Sequence, residues 1–211
     1  MIDVDYYNKA LVKTHIFDIC QFKKEDRVLF IGEYNEVLIS DLLKRCNKVD
    51  LAENNDVMIM GEYDKIIIYG KFNNNLNVYK KHLVDNGYLF IAVDNKYGMR
   101  FLSGAKGDKE IDYFSYVEGK SRVPVYSNLE LRKMIIEAGF TCYFYYPLPE
   151  YQLPFVIYSE DYLPSYGQII NVAHSFNWDR YIVFDEAKAL NEAVKSCHFE
   201  TFANSFWIKC W

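Results

Sequence analysis

Two residues near the start of the chain have the types and spacing of a nucleotide site. Gly32 ends a short apolar run, 27–32, and Glu53 ends a second run, 49–53, 21 residues further on. A glycine lets the backbone approach a ligand closely, because it carries no Cβ. A carboxylate at the end of the next strand can accept hydrogen bonds from ribose hydroxyls. One glycine and one acid permit a nucleotide site without specifying one.

The elements that must position these residues alternate between amphipathic stretches and apolar runs. This alternation predicts an α/β fold, with a mostly parallel sheet and helices on both faces. In such sheets, ligands bind beyond the carboxyl ends of the strands. The expected helices cover about 5–21, 36–46, 76–86, 127–139 and 185–197. The expected strands cover 27–32, 49–53, 65–70, 88–93, 140–146 and 205–210, with 57–60 as a further short candidate.

Local signals mark several of these boundaries. Ser127 with Glu130 three residues later is a capping box, and Gly139 suits the end of the helix that it opens. Gly87 is expected to end the helix over 76–86. The stretch 147–180 is rich in proline and tyrosine and is expected to be irregular. We expect one domain over 1–211, in which 147–204 is an irregular insertion and helix before the last strand.

Composition restricts the function. The formal net charge is -5 and the basic residues are scattered, which argues against a nucleic-acid surface and predicts no nucleic-acid partner. No apolar stretch approaches the length of a membrane span, and the acidic N-terminus does not resemble a signal peptide, so a cytoplasmic location is expected. The 5 cysteines contain no CxxC pair and the 4 histidines lack ligand spacing. Reduced thiols and no metal are therefore expected.

Several ordered segments carry a resemblance that spans nearly the whole chain. Together they resemble a bacterial subfamily of class I S-adenosylmethionine-dependent methyltransferases associated with capsule and surface-polysaccharide gene clusters. The resemblance implies a Rossmann-like sheet with an antiparallel last strand. The segments that carry it are 83–91, 93–101 with 103–105, 145–154, 159–164 and 202–206.

The resemblance also implies a cofactor and a set of site residues. S-adenosylmethionine is the implied cofactor, and a sugar or glycan precursor of surface polysaccharide is the implied small-molecule acceptor. Glu118 and Asp161 are the candidates for a general base, which methyl transfer to a hydroxyl needs. The implied cofactor-binding residues are Ile31, Gly32, Glu33, Glu53 and Gly70. The implied acceptor-binding residues are Asn95, Lys96, Tyr97, Arg122 and Tyr162.

The chain departs from the family pattern at the cofactor loop. Phe30 stands where the family has an acid, and no further glycine follows Gly32 in the loop that begins at Glu33. Only 11 residues separate Glu53 from Lys65. The family fits a helix, a third strand and an adenine-contacting acid there, and a helix alone needs 8 or more residues. The wall that would contact adenine is therefore expected to be thin or absent.

Three functions stay open at this point. The first is a methyltransferase that holds S-adenosylmethionine over Gly32 and Glu53. The second is a methyltransferase-like domain that has lost the cofactor and serves as a binding or scaffold partner in a polysaccharide pathway. The third is an enzyme or sensor that binds a different nucleotide in the altered cleft. Lys96 and Arg122 have a plainer interpretation as solvated surface charges, and Glu118 and Asp161 as residues that fix their loops.

Overall fold

The computed structural model describes residues 13–33, 35–53, 59–107, 112–170 and 181–211. A 3-10 helix covers His15–Cys20. The strands are β1 Arg27–Gly32, β2 Lys48–Ala52, β3 Tyr63–Tyr69, β4 Leu83–Asp94, β5 Cys142–Glu150, β6 Leu153–Ser159 and β7 Ser205–Cys210. The α-helices are α1 Glu36–Arg45, α2 Leu76–Lys81, α3 Met99–Leu102, α4 Asn128–Glu137, α5 Glu186–Lys195 and α6 Phe199–Phe202.

The strands form one sheet of 7, in the order β2-β1-β3-β4-β7-β5-β6. The pairs β1–β2, β1–β3 and β3–β4 are parallel, and β5–β6 is antiparallel. The last strand, β7, runs antiparallel to the parallel strands of the sheet. The predicted fold class is confirmed: a Rossmann-like α/β sheet, mostly parallel, with an antiparallel last strand and helices around it.

The described residues fall into two compact units. The first unit draws on Met1–Val93, Lys133–Tyr143 and Ile208–Trp211. The second draws on Asp94–Arg132 and Phe144–Trp207. The expectation of a single domain over 1–211 stays a prediction.

In the first unit, the inner strands are buried on both faces. Every residue of Val28–Ile31 in β1 is buried, and so are the last five residues of β3. The residues 28–31 of β1 and 66–69 of β3 are continuous apolar runs, which is typical of parallel sheets with both faces covered. By contrast, β2 stands at the end of the strand order, and Leu51 on it is 48% exposed. No described residue pairs with its outer edge, so the described part of the short stretch after Glu53 adds no further strand.

Two predicted helix boundaries are explained by caps. The Ser127 amide donates to the Glu130 carboxylate at 2.7 Å, and the Glu130 amide lies 3.4 Å from the Ser127 hydroxyl. This reciprocal pair is the predicted capping box of α4. At the other end, Gly139 has φ +80, the left-handed conformation that glycine adopts without steric cost.

The helix predicted over 76–86 is wrong in its second half. Helix α2 ends at Lys81, and the chain enters β4 at Leu83. Tyr63 pairs with Leu83 and Lys65 pairs with Tyr88, so the residues 84–87 bulge out opposite a single residue of β3. Asn86 takes φ 63 inside this bulge. Pairing with β3 therefore decides the conformation here, and Gly87 lies in the bulge instead of ending the helix.

Other boundaries differ from the sequence-based expectations. The sequence predicts an irregular stretch over 147–180, yet the structure has the end of β5 and all of β6 there. Residues 171–180 of this stretch lie outside the described residues. Within the helix expected over 5–21, the described part holds the 3-10 helix, while 5–12 lies outside the described residues. Of the short strand considered over 57–60, residues 57–58 lie outside the described residues and 59–60 are not in a strand.

Among the described helices, none is long and apolar enough to cross a membrane. Within the same residues, no group of three or more histidine, cysteine or acidic side chains is placed to hold a metal ion.

A buried ion pair lies inside the first unit. Asp26 precedes β1, and its carboxylate contacts the ammonium of Lys65 on β3. Their side chains are 6% and 7% exposed. The same carboxylate accepts the amide of Lys23 at 2.8 Å, which fixes the turn that leads into β1. Because a buried charge is costly without its partner, the pair ties this turn to the middle of the sheet.

Replacing Asp26 with asparagine should therefore destabilise the fold strongly. Asp26→Asn leaves the Lys65 ammonium buried without a counter-charge, and we expect a loss of about 3–5 kcal/mol in the free energy of unfolding. Urea denaturation measures this loss. Glu25→Gln, at the exposed neighbouring position, is the control and should change stability by less than about 0.5 kcal/mol. Equal effects of the two variants would contradict the prediction.

Candidate functional site

The carboxyl ends of β1, β2 and β3 meet at one edge of the first unit. Ile31 lies opposite Ala52 of β2 and Ile68 of β3, and Gly32 lies opposite Tyr69. Ile31 itself is buried, and 3% of its surface is exposed. The predicted cofactor residues Gly32, Glu53 and Gly70 therefore follow one another across the same edge of the sheet. This is the edge at which open α/β sheets bind ligands.

Gly32 is needed by the sheet itself. A Cβ at this position would lie 2.5 Å from the carbonyl oxygen of Tyr69 and 3.1 Å from the Tyr69 Cβ. Backbone cannot yield to such a contact as a flexible side chain can. The absence of a side chain at position 32 is thus explained by strand packing, whether or not a ligand binds there.

Gly70 turns the chain as it leaves β3. Its φ is +99, a conformation that side-chain-bearing residues rarely adopt. Its amide donates to the carbonyl of Ala92 at 2.8 Å, which keeps the turn against β4. The glycine therefore permits the turn that follows Tyr69, the residue opposite Gly32.

Aromatic side chains occupy the place where the family pattern has an acid. Phe30 is 1% exposed, and its ring centroid lies 5.8 Å from that of Tyr69. Tyr69 is itself only 7% exposed. An apolar ring in this position cannot form an ion pair with a ligand's ammonium group. Phe30 is thus part of the buried core of the sheet.

The N-terminus of α1 is capped by the protein's own side chain. The Asn35 carboxamide oxygen accepts the amides of Val37 at 3.0 Å and Leu38 at 3.3 Å. These amides are among those that a helix N-terminus can offer to an anionic ligand. Asn35 satisfies them locally, as N-cap asparagines commonly do.

The two acids at this edge are both open to solvent. The Glu33 side chain is 71% exposed and lies 3.4 Å from the ammonium of Lys71. An exposed pair at this distance contributes little to stability. Glu53 is also exposed, and it forms no ion pair with the part of the chain that the structure describes. Glu53 therefore keeps a carboxylate available at the end of β2.

These residues fit one half of S-adenosylmethionine better than the other. A solvent-facing carboxylate at Glu53, beside the glycine turns at Gly32 and Gly70, suits a ribose with its two hydroxyls. At the amino-acid half, buried Phe30 stands where the family that the sequence resembles has an acid. Among the described residues that follow β1, Glu33 offers an exposed carboxylate.

The predicted acceptor residues lie in the second unit, and Asn95 is fully buried there. Its side-chain amide donates to the carbonyls of Thr201 at 2.8 Å and Ala203 at 2.7 Å. Its carboxamide oxygen accepts the amide of Tyr97 at 3.1 Å. These bonds use both amide hydrogens, so Asn95 holds backbone segments together.

Lys96 and Tyr97 follow on the loop after β4. The Lys96 ammonium lies 3.4 Å from the Glu130 carboxylate and 5.6 Å from the centroid of the Tyr97 ring. The Lys96 side chain is 20% exposed. Glu130 also forms the capping box of α4, so Lys96 is attached to the start of that helix.

The two candidate bases lie on separate exposed turns. Glu118 lies between α3 and α4, and its carboxylate contacts the Lys120 ammonium at 2.6 Å, which raises the pKa of Lys120. Asp161 lies in a tight turn after β6, where the amides and carbonyls of Ser159 and Tyr162 bond to each other at 3.1 Å. Tyr162 is 67% exposed. Arg122 is exposed as well.

A buried cluster of charges in the second unit was not assigned a role from the sequence. The Arg100 guanidinium contacts the Asp94 carboxylate at 2.5 Å and also contacts the carboxylate of Glu150. The side chains of Arg100 and Glu150 are 8% and 1% exposed. Asp94 lies at the end of β4 and is 17% exposed, so it is the most accessible member of the cluster. All three residues lie in segments that carry the family resemblance. Their contact could not be predicted from the sequence, because Glu150 is distant in the chain from Asp94 and Arg100.

Asn204 connects this cluster to Asn95. Its carboxamide oxygen accepts the amide of Arg100 at 2.9 Å, and its amide donates to the carbonyl of Pro149 at 3.0 Å. Its backbone carbonyl accepts the amide of Asn95 at 3.0 Å. Three segments of the family resemblance therefore converge on one network of buried hydrogen bonds.

Tyr146 is a further buried residue of this unit with a polar group. Its hydroxyl donates to the carboxylate of Glu200 on α6. Burial, and then the contact with Glu200, raises the pKa of Tyr146 far above its ordinary value. The phenol therefore keeps its proton throughout the physiological range, and Tyr146 serves as a hydrogen-bond donor.

No known family profile matches the chain, and no curated protein matches it. Solved structures do show similarity. An S-adenosylmethionine-dependent methyltransferase from Archaeoglobus fulgidus is 14% identical, with 99% of this chain and 94% of that chain covered and a TM-score of 0.49.

Two further structures are similar at the same level. An S-adenosylmethionine-dependent methyltransferase from Clostridium acetobutylicum is 10% identical, with 99% of this chain and 92% of that chain covered and a TM-score of 0.48. One from Thermotoga maritima is 11% identical, with coverages of 97% and 91% and a TM-score of 0.48. Similarity this low carries no argument about cofactor or activity.

Adding a methyl group at position 32 should destabilise the protein in the absence of any ligand. Gly32→Ala places a Cβ against the Tyr69 backbone, and we expect a loss of about 1–3 kcal/mol, the scale of overpacking. Urea denaturation measures it. Gly119→Ala is the matched control, because a Cβ there meets nothing within 4 Å and adds only the strain of φ +68. If Gly32→Ala lost less free energy of unfolding than Gly119→Ala, the prediction would be wrong, and β1 and β3 could move apart to accept the methyl group.

Removing the charge of Arg100 should be more damaging still. Arg100→Met leaves the Glu150 carboxylate buried without its counter-charge, and we expect a loss of about 3–5 kcal/mol in the free energy of unfolding. Thermal and urea denaturation both report it. Lys96→Met, which removes a cation with a longer and more exposed contact, is the control and should cost less than about 1 kcal/mol. Similar losses for both variants would mean that the cluster does not stabilise the second unit.

Proposed function

We propose that this chain is an S-adenosylmethionine-dependent methyltransferase-like protein that acts on a sugar or glycan precursor of surface polysaccharide. The observation that carries the proposal is the exposed carboxylate of Glu53 at the end of β2, beside Gly32 and the φ +99 turn at Gly70. This arrangement suits the ribose of a nucleoside cofactor. The sequence resemblance to polysaccharide-associated methyltransferases supports the choice of cofactor and of acceptor class.

In this proposal, bound S-adenosylmethionine supplies an electrophilic methyl group, and the chain supplies binding and a proton acceptor. Glu53 would hold the ribose hydroxyls, and Gly32 and Gly70 would leave room for the nucleoside beside the backbone. Glu33 is the acid left for the amino-acid end. Glu118 and Asp161 are the candidate bases for the proton that an acceptor hydroxyl loses on methylation.

Exposed aromatic rings in the second unit support a sugar acceptor. Phe155, Tyr162 and Tyr166 are 59%, 67% and 61% exposed. Large aromatic side chains that remain in water have apolar faces available for stacking. The apolar faces of a pyranose ring would suit them. Asn95, Lys96, Tyr97 and Arg122 remain the predicted polar contacts, although Asn95 would act by holding the loop.

The second candidate is a domain that has lost the cofactor and serves as a binding or scaffold partner in the same pathway. Two observations favour it. Phe30 and Tyr69 fill the place of the family's acid with buried rings, and Asn35 caps the helix that would face the cofactor. In this case the exposed apolar residues of β6 would contact a protein. A cytoplasmic location belongs to both proposals.

Calorimetric titration with S-adenosylmethionine and S-adenosylhomocysteine separates the two candidates. The first predicts binding in the micromolar range, and Glu53→Ala should weaken it by roughly 1–3 kcal/mol, the scale of a lost hydrogen bond to a charged group. Glu25→Ala, an exposed acid that precedes β1, is the matched control and should bind as the unchanged protein does. Absence of heat at millimolar ligand, from protein with a native circular dichroism spectrum, would favour the scaffold candidate and rule out the first.

The acceptor class needs its own measurement. Protein that binds the cofactor should transfer a labelled methyl group from S-adenosylmethionine to at least one member of a panel of nucleotide sugars and glycan fragments. Peptides and nucleosides serve as the contrasting acceptors. Label found only in the contrasting acceptors would overturn the sugar assignment and leave the cofactor assignment standing.

A further inference from the structure

Two cysteines face each other across the antiparallel strands β5 and β7. Just before β5 and just after β7, Thr141 and Trp211 exchange both backbone hydrogen bonds, at 2.9 and 3.0 Å. This exchange marks them as a hydrogen-bonded pair of an antiparallel ladder. The next residues inward on the two strands, Cys142 and Cys210, are therefore directly opposite and form a non-hydrogen-bonded pair.

The geometry of such a pair suits a disulfide. Residues in a non-hydrogen-bonded pair have Cα atoms about 4.5 Å apart, with their side chains on the same face of the sheet. Disulfides accept Cα separations of about 4.4–6.8 Å. The two thiols are close enough to interact, since the neighbouring Cys142 adds to the effect of burial in raising the pKa of Cys210. Both residues belong to the first unit.

The two thiols differ in access to solvent. Cys210 is fully buried, whereas Cys142 is only partly buried. A small oxidant can therefore reach Cys142 from solvent, and Cys210 stands behind it as a resolving thiol. The other cysteines are Cys20 and Cys46, which are buried, and Cys197, which is exposed beyond α5.

We propose that Cys142 and Cys210 are an oxidative modification site, at which hydrogen peroxide converts two thiols into a cross-strand disulfide. The Cys142 sulfur attacks one peroxide oxygen, the O–O bond breaks, and Cys142 becomes a sulfenic acid as the first water is released. The Cys210 sulfur then attacks the Cys142 sulfur and expels the hydroxyl group as a second water. Two thiols are oxidised and one peroxide is reduced, with no other reactant.

The disulfide would tie the end of β7 to the start of β5. It would close a loop containing 67 intervening residues. Closing a long loop restricts the unfolded chain and so favours the folded state. In a reducing compartment such a bond is expected to be transient and to respond to oxidants. The site does not depend on the cofactor, so it stands or falls separately from the proposed function.

Peptide mapping after oxidation tests the proposal. Folded full-length protein is treated with hydrogen peroxide, the excess is removed with catalase, and the chain is denatured, alkylated and digested without reductant. We expect a peptide that links Cys142 to Cys210, and two fewer alkylated thiols among the 5. The melting temperature of the oxidised protein should rise by several degrees and return to its starting value on reduction.

Matched variants decide the outcome. Cys142→Ser and Cys210→Ser should each abolish the linked peptide and the shift in melting temperature, whereas Cys197→Ser should leave both unchanged. Cys142→Ser changes only the partly buried partner, so it keeps the test valid if Cys210→Ser fails to fold. A linked peptide that maps to Cys20 and Cys46, or full alkylation of all thiols after oxidation, would overturn the proposal.

Discussion

The second unit depends on a network of buried hydrogen bonds, because polar groups that are removed from water need partners inside the protein. Asn95 and Asn204 satisfy several of these groups. Asn95 holds the carbonyls of Thr201 and Ala203, while Asn204 joins the start of α3 to the carbonyl of Pro149. The two asparagines are themselves linked through their backbones. These hydrogen bonds hold together segments from three distant parts of the chain. Arg100 lies buried among them, between the carboxylates of Asp94 and Glu150.

This network offers a structural explanation for the segments that resemble the methyltransferase family. The segments around 93–101, 145–154 and 202–206 carry the resemblance, and their polar residues bond mainly to one another and to backbone. These bonds are explained by folding, so the network is equally compatible with an enzyme and with a binding domain. The residues that bear on the proposed activity lie instead at the carboxyl ends of β1, β2 and β3 in the first unit. There the exposed carboxylate of Glu53 would suit a ribose, whereas the buried Phe30 ring offers no carboxylate to an ammonium group.

The sheet itself determines the backbone at the carboxyl ends of β1 and β3. Glycine is required at position 32 by the backbone of Tyr69, and at position 70 by the positive φ of the turn. Both requirements hold whether or not a ligand binds. Glycine at such positions is therefore weaker evidence for a nucleotide than a glycine that only a ligand explains. Glu53 is different, because an exposed carboxylate does nothing for the packing of β2.

The sequence by itself determined the fold class, since apolar runs and amphipathic stretches alternate strongly enough to show β1, β3, β7, α1 and α5. It also determined the caps at Ser127 and Gly139, because these depend on residues close in the chain. Only the tertiary structure decided the bulge at 84–87, the strand β6 in the proline-rich stretch, and the meeting of Asp94, Arg100 and Glu150. Each of these depends on contacts between residues distant in sequence. Pairing with a neighbouring strand overrides local propensity, and a charged residue is buried only where its counter-charge arrives from another segment.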